Sequence, residues 1–298
     1  MYGEKLSDFA QLRQKLGQVG VWSFRFDDLT PSEATIAAQE IERLGYPSLW
    51  VPEVGPTEAL SLASQLLEGT WSLTIANGIA RMGDRSPGAA VAGHRYLQMK
   101  SGGRHVLGLG LGGALSNKAE PLSIATSYLK EFTNLWEENK TDDTPSPLVC
   151  LAAYGPKMSA LAGSLTLGAH TYLANPEHTK LTRSAIGPDP VIAAEMAVVL
   201  TQDSQVAIEI GRDHLRKYTG SKSNQRKFKM LGFEDKDFLD GPSDRLVSEL
   251  ITFGSDTIRD RLTAHRVNGA DHVCIQVLGT QTLQEDLESW AVLSHLVL

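Results

Sequence analysis

The feature that most limits what this chain can become is a repeated switch between two hydrophobic periods. Short apolar runs at Val19 to Phe26, Ser48 to Val51, Leu73 to Ile79, His105 to Leu111, Leu148 to Ala153, Ala169 to Ala174, Ala193 to Leu200 and His272 to Leu278 read as strands. Between them lie apolar residues at helical spacing. After Thr30-Pro31, for example, a capping residue and a proline at the first helical position precede Ile36, Ala37, Ile41 and Leu44. Strands that alternate with helices pair in parallel through right-handed crossovers. At 298 residues, an α/β fold of the TIM (β/α)8 barrel type, as one domain over 1–298, is the expected architecture. An open doubly wound sheet is the alternative. Ala193 to Leu200 also permits helix. The span 201–271 is too long for one crossover and reads as a helical insertion before the last strand. Helices are expected there at Ser204 to Tyr218, Asp244 to Phe253 and Asp256 to Asn268, with the basic stretch Gly220 to Lys229 as a mobile surface turn.

Composition narrows the partners. A hydrophobic fraction of 42% supplies a large core, and a net charge of −7 without a basic stripe argues against nucleic acid. No apolar run approaches the roughly 20 residues of a membrane span. The first residues, Met1 to Leu16, mix charges and lack a secretory apolar region. Cys150 and Cys274 each sit in an apolar run, as small core residues of a reducing compartment do. The expectation is a cytoplasmic protein whose partner is a small molecule, with no membrane or nucleic acid involved.

Four segments carry chemical signals. Gly108, Gly110 and Gly113 satisfy G-x-G-x-x-G after a strand, but they alternate with Leu107, Leu109 and Leu111 and no helix opens at once. They read better as an inward strand face kept empty for tight packing or for a flat ligand. In Ala152 to Met158 a strand meets a helix, where Gly155 turns the chain and Pro156 starts the helix. The amides of Lys157 and Met158 then face outward at a positive helix end that favours an anion, with an ordinary βα loop that binds nothing as the equal alternative. Ala76-Asn77-Gly78 ends a strand where Asn-Gly reads equally as a hairpin turn or as a bulge or strained peptide. Glu53 follows a strand end, where a barrel places catalytic groups, although a solvated loop Glu is the simpler reading. No histidine, cysteine or carboxylate spacing suggests a metal, and no G-x-S-x-G nucleophile is present.

Taken in order, these segments resemble the luciferase-like monooxygenase superfamily and, more narrowly, the actinobacterial deazaflavin (coenzyme F420)-dependent oxidoreductases. The resemblance runs through Ala37 to Glu53, Leu73 to Pro87, Gly103 to Gly110, Pro121 to Leu129, Ala152 to Ala162, Leu173 to Leu181 and Gly269 to Val273. It implies a barrel with F420, or alternatively FMN, at the strand C-termini, in a homodimer. It also implies a non-prolyl cis peptide behind the ring, matched to Asn77–Gly78, and a phosphate cradle matched to Gly155 to Met158. The cofactor-binding residues it suggests are Trp22, Glu53, Ala76, Asn77, Gly78, Gly110, Gly112, Gly113, Tyr154, Gly155, Lys157 and Met158.

One departure matters. Sugar-phosphate dehydrogenases of the superfamily carry a proton-handling Glu where this chain has Gly113, and the Ser-His of closer relatives is missing too. Glu53, His178 and Tyr154 are the candidates for the vacant catalytic role. The expected activity is hydride transfer between the deazaflavin and a small organic substrate. The alternatives are an FMN-dependent monooxygenase and a cofactor-binding protein without catalysis.

Overall fold

Eight parallel strands close on themselves. In the computed structural model, which describes residues 2–112, 120–141 and 144–298, they are β1 (Val19–Trp22), β2 (Ser48–Val51), β3 (Thr74–Asn77), β5 (His105–Gly110), β6 (Val149–Ala152), β7 (Gly168–Thr171), β8 (Val191–Val199) and β10 (His272–Val277). Each pairs with the next, and β10 pairs with both β8 and β1, so no edge is left open. The fold is a TIM (β/α)8 barrel, and the open-sheet alternative is excluded. Two short strands stand outside the ring: β4 (Ala80–Arg81) pairs with β5, and β9 (Ile251–Phe253) pairs with β8.

Sequence devices set where the helices begin. Pro31, Pro87, Pro121, Pro156 and Pro176 each stand in a first helical turn, where a missing N–H costs nothing. Thr30 and Thr282 complete capping boxes with Glu33 and Glu285. Outward strand residues such as Val21, Leu49, Ile75 and Ile275 join helix residues Ala37, Ile41 and Leu66 in one core between barrel and helices. Inward residues Trp22, Trp50, Ala76, Val106, Cys150, Ala193 and Cys274 form a second core inside the barrel. Both cysteines are free and buried there.

The N-terminal helix Tyr2–Leu16, absent from the expectation, closes the barrel floor. Phe9, Leu12 and Leu16 belong to the interior core. The Ser48 hydroxyl donates to the Leu16 carbonyl at 2.9 Å, and His272 Nδ1 lies 3.0 Å from the Gly17 carbonyl. Above the floor, Trp50 stacks on His170 with centroids 4.4 Å apart and its Nε1 lies 3.0 Å from His272 Nε2. The barrel is filled at this level.

Three expectations need correction. Residues 220–229 are not a mobile turn: Lys222–Met230 is a helix whose buried side includes Asn224, Lys227 and Phe228. The expected helix Asp244 to Phe253 stops at Leu250, and the β-branched Ile251-Thr252 continues as a strand paired to β8. Pro176–Ile186, not read as helical, is a helix capped by the Asn175 side chain. The ambiguous segment Ala193 to Leu200 is strand, buried throughout.

Candidate functional site

The C-terminal end of the barrel begins at an interruption. From Ala76 to Ala80 the chain advances four residues while its partner strand advances three, from Val106 to Leu109. The extra residue makes a bulge that separates β3 from β4. A non-prolyl cis peptide lies inside it at Gly78–Ile79, one residue beyond the expected Asn77–Gly78. The Gly78 N–H still donates to the Val51 carbonyl at 2.8 Å, so the β2–β3 ladder runs one step past Asn77 and keeps that peptide in strand geometry. The chain departs at the next bond, where the Ile79 carbonyl accepts from the Glu53 N–H at 3.2 Å.

The glycines of β5 make room for this bulge. A Cβ on Gly108 would meet the Asn77 carbonyl oxygen, and one on Gly110 would meet the Ile79 side chain at 2.6 Å. Their empty face is therefore filled by protein backbone and Ile79. Gly112 has a φ of +67°, the left-handed region that suits glycine. Gly113 lies outside the described residues.

Outside the barrel wall, side chains fix the bulge. Glu53 is buried, and its Oε1 accepts from the Ala59 amide at 3.2 Å while Oε2 accepts from the Arg81 amide at 2.7 Å and Arg85 Nη1 at 2.8 Å. Arg85 Nη2 also pairs with Oε1. Burial raises the cost of the Glu53 charge, but hydrogen bonds from Arg85, Arg81 and Ala59 outweigh it and hold the carboxyl below its usual range. Asn77 turns outward too: Oδ1 lies 3.0 Å from His105 Nε2 and Nδ2 donates to the Ala59 carbonyl at 3.3 Å. His105 Nδ1 lies 2.8 Å from His94 Nδ1. Since Asn77 Oδ1 accepts, His105 Nε2 carries its proton, and His94 Nδ1 donates to the bare Nδ1 of His105.

The mouth is lined by rings. Trp22, buried at the end of β1, meets Phe24 edge-on at 4.5 Å and Tyr172 at 5.0 Å between centroids. Tyr172 follows β7, and its hydroxyl lies 3.1 Å from Gln276 Oε1, 3.0 Å from the Tyr218 hydroxyl and 3.2 Å from His214 Nε2. Phe24, Tyr154, Tyr172, His214 and Tyr218 are half-buried, so the tier faces both the interior and the solvent. His214 and Tyr218 come from the insertion helix Ser204–Thr219. The insertion also sends in Lys227, 2% exposed, whose Nζ donates to the Tyr172 and Leu173 carbonyls at 2.9 and 3.0 Å and stands 4.4 Å from the Tyr154 ring centroid. Beneath the tier on β8 is Glu195, wholly buried, with Oε2 accepting from the Leu173 amide at 2.8 Å. Neither Lys227 nor Glu195 stood out in the sequence.

Beside the rings opens the helix Pro156–Leu165. Gly155 caps it with extended backbone, φ −112°, and among the described residues no side-chain hydrogen bond caps it. No described residue lies within 4 Å of where a Gly155 Cβ would stand. Lys157 is exposed and Met158 half-buried against the neighbouring core. Among the described residues this is an open positive helix end.

The sequence-derived candidates thus divide. Trp22, Ala76, Gly78, Tyr154 and Gly155 to Met158 gather at the mouth. Glu53 and the Asn77 side chain brace the bulge from behind. His178 is buried, its Nε2 donating to the Tyr154 carbonyl at 2.9 Å, and burial lowers it to about 4, so it is a neutral strut between the helix Pro176–Ile186 and the loop at Tyr154. Burial also raises the Tyr154 hydroxyl well above its ordinary value.

A closed parallel barrel with a bulged third strand, an insertion before the last strand and an aromatic mouth is the form of a luciferase-like enzyme fold. Residues 16–240 match the family model for luciferase-like monooxygenases, and the chain belongs to that family. No curated protein sequence matches it. Among solved structures, it is similar to an F420-dependent secondary alcohol dehydrogenase in complex with an F420-acetone adduct: 15% identity, TM-score 0.69, covering 94% of this chain and 98% of that one. The coenzyme F420-dependent tetrahydromethanopterin reductase of Methanopyrus kandleri gives 14%, 0.71, 94% and 98%. The oxygenating constituent of 3,6-diketocamphane monooxygenase of Pseudomonas putida, in complex with FMN, gives 13%, 0.69, 94% and 97%. Among the described residues no helix is long and apolar enough to cross a membrane.

Proposed function

We propose that this chain is an oxidoreductase that binds coenzyme F420 at the barrel mouth and moves a hydride between it and a small organic substrate. The observation that carries the reading is the open helix end at Gly155, set beside a tier of half-buried rings. A phosphate-bearing, planar cofactor needs both: amide donors for its anionic tail and flat apolar walls for its ring. The residues present fit such a group. The space ahead of Gly155 is one that a side chain would fill, and the buried indole N–H of Trp22 has no partner among the described residues.

The amides of Lys157 and Met158 would hold the phosphate, and the backbone at Gly78–Ile79 would support the ring. When bound, the deazaflavin supplies hydride chemistry at its C5 position. The protein's part is orientation and water exclusion. Trp22, Phe24 and Tyr172 wall the mouth, while the insertion contributes His214, Tyr218 and Lys227 and so shapes the side on which a substrate rests.

The choice of F420 over FMN rests on the residue pattern that resembles the F420-dependent oxidoreductases; the structural neighbours include both F420-dependent enzymes and an FMN-bound monooxygenase. Separate titrations with F420 and FMN, followed by fluorescence or calorimetry, decide the cofactor. Tighter F420 binding is the expected result; preference for FMN replaces the reading with that of a flavin monooxygenase.

A further inference from the structure

The segment that supplies a proton-handling Glu in the sugar-phosphate relatives offers Gly113 here, but the barrel interior holds an acid of its own. Along β8, Ala194, Met196 and Val198 pack outward against the helices, Ala193 belongs to the barrel interior, and Ala197 and Val199 join the cluster shared with the insertion. Glu195 therefore stands on the inner face, where the interior gives way to the mouth. Its Oε2 is bonded to the Leu173 amide, whereas its Oε1 is buried and has no hydrogen-bond partner among the described residues.

Lys227 grips the same turn from the other side through the carbonyls of Tyr172 and Leu173. Leu173 is held between them at a φ of +51°, uncommon for a leucine. No ion pair joins Glu195 to Lys227 among the described residues; the Leu173 peptide links them. Burying two ionisable groups without pairing them is costly, and structure alone does not need it: a glutamine would serve the Leu173 amide equally well. Burial pushes the Glu195 carboxyl up to about 8 against the pull of the Leu173 amide and Lys227. Burial brings the Lys227 ammonium down to about 7, with Glu195 opposing. Tyr154, Tyr172, Tyr218, Cys274 and His178 also face the pair, and burial keeps all five neutral. Glu195 and Lys227 are thus the groups here that change charge near neutrality.

We propose that Glu195 exchanges a proton with the substrate through Oε1, with Lys227 as a positioning residue that fixes the Tyr172–Leu173 turn around it. The inference rests on the oxidoreductase reading and adds a substrate class: a carbonyl–alcohol or imine–amine pair. In the reducing direction, carbon receives hydride with its electron pair from a reduced deazaflavin, and the π pair moves to the heteroatom. The Oε1–H bond of Glu195 breaks, its proton forms the new O–H or N–H bond, and the carboxylate left behind is reprotonated from solvent.

The test begins without cofactor. In glutamate-labelled apoprotein, isotope-edited infrared spectra should show a protonated carboxyl at neutral pH that disappears at alkaline pH. The band should be missing from Glu195→Gln and persist to higher pH in Lys227→Met, where no ammonium favours the carboxylate. With F420 bound, Glu195→Gln should keep cofactor affinity and lose about a hundredfold in ketone or aldehyde reduction, and its rate should no longer fall at alkaline pH. An ionised Glu195 at neutral pH, or an alkaline limb that survives in Glu195→Gln, overturns the inference and leaves the oxidoreductase reading standing. Failure of both F420 and FMN to bind overturns that reading and the inference with it.

Discussion

A β-carbon on Gly108 would overlap the carbonyl oxygen of Asn77. The bulge that forms the back of the candidate site is thus built into β5 as much as into β3, and Gly108→Ala must push one strand off the other. Overpacking of this kind costs about 1–3 kcal/mol. Urea denaturation should register that loss, and amide chemical shifts should change around Gly78 and Ile79 first.

Gly155 is the opposite case. Its backbone is extended and its Cβ position is open, so Gly155→Val should lose only the difference between Gly and Val as a helix cap, about 1 kcal/mol. Under the proposed function cofactor affinity should fall by about tenfold, or ~1.4 kcal/mol, because the new side chain would stand where the reading puts the anionic tail. Unchanged affinity would remove the phosphate cradle from this helix.

Glu53→Gln should act on folding before chemistry. It leaves the Arg85 guanidinium, only 6% exposed, with the more exposed Glu58 as its remaining carboxylate partner among the described residues, and loss of the buried half of such an arrangement costs up to about 3 kcal/mol. The folded carboxyl lies below its ordinary value. Its stabilisation is therefore complete above the unfolded value and lost as pH falls through the folded one. Acid titration of stability should be shallower in Glu53→Gln at the low-pH end. Turnover that collapses while stability holds would instead return Glu53 to the chemistry.

The His94–His105–Asn77 chain gives a second pH signature. Burial lowers His105 to about 3 and His94 well below 6.5. Both rings stay neutral in the fold and take up protons only on unfolding. Stability should accordingly decline as pH falls below 6.5, by up to about 1.4 kcal/mol per pH unit for each ring. Nitrogen-15 NMR should find His105 protonated at Nε2 and His94 at Nδ1; the reverse tautomers would refute the direction of the chain.

The barrel was legible because all eight ring strands carry apolar runs of the right length between helix starts marked by proline and capping residues. Ala193 to Leu200 was ambiguous because its alanines and Glu195 suit either period, and only its pairing on both sides makes it strand. The helix Lys222–Met230 was invisible for a related reason: part of its buried face is a lysine, and a sequence reading takes lysine for solvent. Lys227 and Glu195 escaped notice together, since each is a lone charge whose partner lies in another element. Asn175-Pro176 did offer a readable start for the helix that follows, with a cap and a proline in place. Glu53 and Asn77 were found by position along their strands, but which side of the wall a loop side chain takes depends on Arg85 and His105, far away in sequence.

The hydrophobic plug of Phe9, Leu12 and Leu16 stoppers the barrel at its N-terminal end. Under the proposed function, a substrate and its product would then share the C-terminal end. The rim they would pass there includes the insertion's His214, Tyr218 and Lys227.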